Sequence, residues 1–113
     1  MDFLPLFFHL QDRPCLVVGG GGVAARRATL LRKAGGRVTV VAPSLGGELA
    51  DMLEAQAIVY HERMFHPADL DGKALVVAAT DSVETNADIA RQANERSIPV
   101  NVVDQPEKGT VIV

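Results

Sequence analysis

The sequence predicts an α/β fold, a doubly wound parallel sheet in three layers, and three observations predict it. Short apolar runs rich in β-branched residues recur along the chain, stretches of helical spacing separate them, and four consecutive glycines stand at the first strand-to-helix junction. The 113 residues suffice for one compact core and are too few for two ordinary domains, so residues 1–113 are expected to form a single domain.

The chain opens with "MDFLPLFFHL", which is apolar but begins with Asp2, carries no basic region and is interrupted by Pro5 and His9. It does not read as a signal peptide. The first strand is "PCLVV" at 14–18, and a helix follows over 23–34, where Ala24, Ala28 and Leu31 form one apolar stripe and Gly35-Gly36 supplies the stop. "RVTVVA" at 37–42 is the second strand, and "GELADMLEAQ" at 47–56 is a shorter helix weakened by its leading glycines. "AIVY" at 57–60 and "ALVVAA" at 74–79 read as the third and fourth strands. The last helix covers 82–96, with Asp81 as N-cap, Glu84 three positions on, and Ala87, Ala90 and Ala93 on a shared side. "IPVNVV" at 98–103 is the fifth strand. Near-continuous apolar character implies strands buried on both faces, as in a parallel sheet covered by helices.

Composition narrows the function. A net charge of −3 and a pI near 5.5 give no basic footprint, which argues against nucleic acid as a partner. No apolar run approaches the roughly 18 residues that cross a bilayer, so no membrane partner is expected. The single cysteine, Cys15, lies in an apolar strand, so no disulfide forms within the chain and a reducing cytoplasm fits.

The glycines acquire meaning by position. In the frame Gly19-x-Gly21-x-x-Ala24, the first permits the tight turn out of the strand and the second lets the backbone approach a pyrophosphate. Ala24, where a third glycine is commoner, keeps the helix close to the sheet. Amides at the helix start then hold phosphates. Gly22 leaves a second frame open, Gly20-x-Gly22-x-x-Ala25. Strand before and helix after are the context this fingerprint requires, so the fold is Rossmann-type with a dinucleotide site. One element is missing: the second strand runs into Pro43 and Ser44 with no Asp or Glu for the ribose hydroxyls. Ser44 offers a hydroxyl, while Arg26, Arg27 or Arg37 can accept a 2′-phosphate, so these residues leave NAD and NADP both open.

Two further segments end at the carboxyl edge of strands, where open α/β sheets bind ligands. Thr80 and Asp81 follow the fourth strand, where they cap a helix, contact a cofactor, or do both. Asp104 ends "NVVD" before Gln105-Pro106, where an aspartate opens a turn or serves as a proton acceptor. Asn86 and Asn101 are weaker candidates, since short polar residues near element ends often satisfy backbone groups alone. His61 and His66 are five apart in "HERMFHP" and lack the spacing of a helical metal pair, His9 has no partner at recognisable spacing, and no permanent metal site is expected.

The opening M-D-x-L-P-L-F, the loop G-G-G-x-V-A, the turn A-A-T-D and the strand end N-V-V-D together resemble the siroheme synthase N-terminal domain family, the precorrin-2 dehydrogenase and sirohydrochlorin ferrochelatase module, over essentially the whole chain. The resemblance implies NAD-dependent oxidation of precorrin-2 to sirohydrochlorin, with Fe²⁺ as a transient substrate where chelation follows. It makes NAD the preferred cofactor and implies that Gly22, Val23, Pro43 and Ser44 contact the dinucleotide. It also implies that Asp104 is the aspartate used in both dehydrogenation and chelation. Family members continue past the point matching Val113 and dimerise through later segments, so the chain is expected to be the N-terminal part of a longer, homodimeric protein whose tetrapyrrole pocket is partly built elsewhere. A second reading from another class is a non-catalytic dinucleotide-sensing domain in which Asp104 only shapes a turn.

Overall fold

A computed structural model describes residues 3–113. Met1 and Asp2, with which the M-D-x-L-P-L-F opening and the reading of its polarity begin, lie outside the described residues. Five parallel strands form one sheet in the order β3-β2-β1-β4-β5. They are β1 Pro14–Val18, β2 Arg37–Ala42, β3 Val59–Glu62, β4 Leu75–Ala78 and β5 Val100–Val102. The helices are α1 Gly22–Lys33, α2 Gly47–Glu54 and α3 Val83–Glu95. The predicted α/β class, the parallel pairing and the Rossmann-type winding are all present.

Alternation along each strand divides the core between two faces. Cys15 and Val17 of β1, Val38 and Val40 of β2 and Val77 of β4 pack on the α1 side with Ala24, Ala28, Leu31 and Leu49. Leu16, Val18, Val41, Val76, Val100 and Val102 pack on the opposite side with Ile89, Ala90 and Ala93 of α3. The small residues of α1 and α3 bring both helices close to the sheet, as their spacing predicts. Burial pushes the Cys15 thiol above its ordinary pKa, so it stays protonated as a small core side chain.

Two expectations are corrected. The third strand lies two residues later than 57–60, and it is an edge: Val59, His61 and Glu62 are exposed. A run of apolar letters does not reveal that a strand has a neighbour on one side only. The crossover from β3 to β4 is made by a single 3-10 turn, Pro67–Leu70, which buries Leu70 against the α3 face. Finally, α3 is capped by Ser82, whose hydroxyl accepts Thr85 N–H at 3.1 Å, and not by Asp81. The shorter Ser side chain stands one position nearer the helix and reaches the orphan amide first. Among the described residues no helix is long and apolar enough to cross a membrane.

Because β1 joins β2 on one side and β4 on the other, the winding reverses direction beside it and opens a crevice at the strands' carboxyl ends. Leu16 sits at the middle of this central strand and is fully buried. Leu16→Ala is expected to cost about 3 kcal/mol, read as a lower midpoint in urea unfolding with an unchanged slope.

Candidate functional site

The exit from β1 is built by backbone contact. Gly19 has φ +134°, and its amide continues the ladder to Val41 O at 3.0 Å. A Cβ there would stand 2.2 Å from Ala79 O, and one on Gly20 would stand 1.9 Å from Ser44 O. Gly21 differs: it is the N-cap of α1, with extended backbone, and nothing lies within 4 Å of the place a Cβ would take. The four glycines therefore divide by task. Gly19 and Gly20 let strands β1, β2 and β4 close up, whereas Gly21 faces open space and a Cβ on Gly22 would meet only the Arg26 guanidinium.

The first turn of α1 has no side-chain cap and no acidic residue, so its orphan amides and positive dipole end are free toward the crevice. Arg26 Nη1 comes within 3.6 Å of the position of a Cβ on Gly22, adding a cation beside that end. Ala24, the third position of the first frame, is fully buried. In the frame Gly19-x-Gly21-x-x-Ala24, the structure thus shows a tight turn at the first position, open space at the second and a buried small side chain at the third. Arg37 sits at the opposite end of β2, its Nε donating to Asp12 O at 2.9 Å. It is remote from the crevice and cannot meet a 2′-phosphate there.

Two clefts meet at the loop. One, of about 540 Å³, is lined by Gly19–Gly21, Pro43, Ser44, Arg63, Thr80 and Asp81. The other, of about 350 Å³, is lined by Gly21–Ala24, Thr80, Asp81, Asn86, Asp104 and Gln105. Gly21, Ala79, Thr80 and Asp81 border both. Every position expected to contact a dinucleotide thus lies on one continuous crevice, with Pro43 and Ser44 in one half and Asp104 in the other. The halves suit a ligand with two nucleoside ends joined at Gly21.

Asn86 holds the shared border. Its Oδ1 accepts Thr80 N–H at 3.0 Å and the Thr80 hydroxyl at 2.6 Å, and its Nδ2 donates to Thr80 O at 3.1 Å. Thr80 Oγ1 in turn accepts Ser82 N–H at 3.2 Å. A buried amide on α3 thereby fixes the turn after β4, which leaves Asp81 exposed at the lip. Asn101 is also buried, with Nδ2 on Val111 O at 3.3 Å and Oδ1 unbonded, and it lines neither cleft.

Asp104 follows β5 in the left-handed region, at φ +62°. Asp tolerates that conformation better than most residues. The carboxylate is exposed, and the neighbouring Gln105 has a buried Oε1 with no partner. The histidines stay apart: His61 is exposed on β3, and His66 caps the 3-10 turn by accepting Ala68 N–H at Nδ1. Arg63 lies outside the residues expected from the sequence. It follows β3 directly, the same strand-end signal that drew attention to Thr80, Asp81 and Asp104.

A family model described as "Putative NAD(P)-binding" matches residues 6–113. A siroheme synthase from Methylobacillus flagellatus is 54% identical over 113 residues, covering 100% of this chain and 24% of that protein. One from Thioalkalivibrio sulfidiphilus is 55% identical over 107 residues, covering 95% and 22%. The chain therefore spans about a quarter of the length of these relatives. Among solved structures, SirC, a precorrin-2 dehydrogenase, superposes with a TM-score of 0.77 at 25% identity, over 89% of this chain and 49% of that one.

Truncating Asn86 strands the Thr80 N–H in a buried turn. Asn86→Ala is expected to lower stability by about 2 kcal/mol in chemical unfolding.

Proposed function

The chain belongs to the NAD(P)-binding family that residues 6–113 match, and from that premise we propose that it is the dinucleotide-binding part of an NAD-dependent precorrin-2 dehydrogenase, acting in siroheme biosynthesis. The observation that carries this reading is the uncapped start of α1 beside the open face of Gly21, at the meeting point of two clefts, one of which Asp104 lines. The high identity to siroheme synthases supports the substrate class, and their much greater length supports a place within a longer protein.

When bound, NAD supplies a hydride acceptor. The amides of Gly21, Gly22, Val23 and Ala24 hold its diphosphate, assisted by Arg26, and Pro43 and Ser44 border the adenosine half. Thr80 and Asp81, fixed by Asn86, form the rim between the halves. With NAD bound, loss of two hydrogens from precorrin-2 would divide into a hydride, for which NAD would be the acceptor, and a proton, for which a base is needed. Asp104 accepts that proton, and its exposed carboxylate passes it to water. The same carboxylate takes pyrrole N–H protons as Fe²⁺, a substrate, enters the macrocycle in a subsequent chelation. The exposed apolar side chains of Leu4, Leu6 and Phe7 suit a homodimer in which further protein covers this surface.

Gly21→Ala is expected to weaken NAD⁺ binding by at least about tenfold in calorimetry while costing no more than about 1 kcal/mol of stability, because the new methyl projects into the ligand's space. Gly19→Ala is expected to destabilise the fold by about 3 kcal/mol, since its methyl meets a backbone carbonyl. Equal affinity of Gly21→Ala and the parent chain would remove the diphosphate assignment.

In the full-length protein, Asp104→Asn is expected to lower the kcat for precorrin-2 oxidation by about 100-fold with NAD⁺ affinity unchanged. Unchanged turnover would return Asp104 to a turn residue, and absence of oxidation by the parent protein would favour a dinucleotide-sensing domain.

A further inference from the structure

The end of β2 carries no acid, yet the residue that follows β3 brings a cation to the same place. Arg63 N–H donates to Ala42 O, the last residue of β2, at 3.1 Å, and Arg63 lines the cleft with Pro43 and Ser44. In this fold the ribose hydroxyls of the adenosine half lie beside the end of β2. An unpaired guanidinium there would draw in a 2′-phosphate, because Arg presents a planar fork of donors to phosphate oxygens.

Arg63 is not unpaired. Its Nη1 donates to Asp69 Oδ2 at 2.8 Å and its Nη2 to Asp69 Oδ1 at 2.5 Å, while Nη1 also reaches Met64 O at 3.2 Å. The Asp69 side chain is 8% exposed against 44% for Arg63. Asp69 Oδ2 also accepts His66 N–H at 2.8 Å, so the carboxylate has an anchor besides the arginine. Hydrogen bonding from Arg63 holds the Asp69 carboxyl below the usual carboxylate range, with His66 N–H and the charges of Arg63 and His61 acting in the same sense. The pair is therefore ionised at neutral pH and carries no net charge.

We infer that Asp69, acting through Arg63, sets the site's preference for NAD over NADP. It supplies from the 3-10 turn the acid that the end of β2 lacks, by occupying the guanidinium edge that a 2′-phosphate would use. Arg26 at the start of α1, Arg27 with its buried Nε, and Arg37 at the far end of β2 do not line this cleft. The inference rests on the dinucleotide reading above, and Asp69 is a positioning residue in it.

The test measures Kd for NAD⁺ and NADP⁺ by calorimetry at low ionic strength, where a charge effect is least screened. The proteins are the 113-residue chain, Asp69→Asn, Arg63→Gln and the double variant. Asp69→Asn is expected to tighten NADP⁺ by about tenfold and leave NAD⁺ within about twofold, and the double variant is expected to lose that gain. Arg63→Gln leaves an uncompensated carboxylate behind the ribose and is expected to weaken NADP⁺ relative to NAD⁺ by about threefold or more. A purely structural ion pair would move both affinities together. An NADP⁺-to-NAD⁺ ratio unchanged in Asp69→Asn, or a gain that survives in the double variant, overturns the inference. If loss of the His66 contact unfolds Asp69→Asn, as circular dichroism would reveal, Arg63→Gln decides, and an unchanged ratio there overturns it equally. Failure of the parent chain to bind either dinucleotide would instead bring down the cofactor reading, and this inference with it.

Discussion

The backbone of Gly19 and Gly20 runs so close to Ala79 O and Ser44 O that no side chain fits between them. This approach ties the carboxyl end of β1 to the turns after both of its neighbours. It is reinforced by Gly19 N–H on Val41 O and by Gly46 N–H on Gly20 O at 2.8 Å. Once the three strand ends are gathered, α1 must start at the crevice with its first amides pointing outward. The openness of Gly21 thus depends on the packing role of the two glycines before it. Four glycines in a row are needed because two adjacent constraints, closeness and openness, are met in succession.

That division also explains which parts of the molecule could be read from residues alone. Strands β1 and β2 match their expected limits, because each apolar run is bounded by a turn and paired on both sides. Helix α1 is nearly as legible, since its alanine stripe and Gly35-Gly36 stop are local signals. β3 is shifted because its letters are those of a buried strand while its place is an edge, a fact decided by the order of the whole sheet. The cap of α3 turns on one residue: Asp81 and Ser82 are both good caps, and the Thr80 to Asn86 contacts settle the path that gives Ser82 the helix amide.

Within the crevice, legibility falls with the range of the interaction. The glycine frame and the strand-end residues Pro43, Ser44, Thr80, Asp81 and Asp104 could be found from position in the alternating pattern, because a parallel sheet sends all its carboxyl ends to one edge. Asn86 could be suspected only of satisfying backbone groups, and it does so for Thr80 from one turn inside α3. Arg63 and Asp69 could not be paired from the sequence. They are six residues apart across a 3-10 turn that no periodicity announces, and the value of Arg63 comes from lying against Ala42, which is distant in sequence.

The two halves of the crevice are held by different means, and the difference bears on what each can do. The half bordered by Ser44 and Arg63 is anchored by an ion pair and by backbone hydrogen bonds to β2, so its electrostatics are fixed before any ligand arrives. The half bordered by Asp104 has a carboxylate exposed to water on a residue at positive φ, beside a glutamine whose Oε1 is buried and unbonded. A recognition surface gains from the first arrangement, because preset charges discriminate between ligands. A proton acceptor gains from the second, because it must reach both a substrate and solvent in turn. The ion pair and the exposed carboxylate sit on opposite sides of Gly21, and the sheet edge that gathers them is the one the first two glycines close.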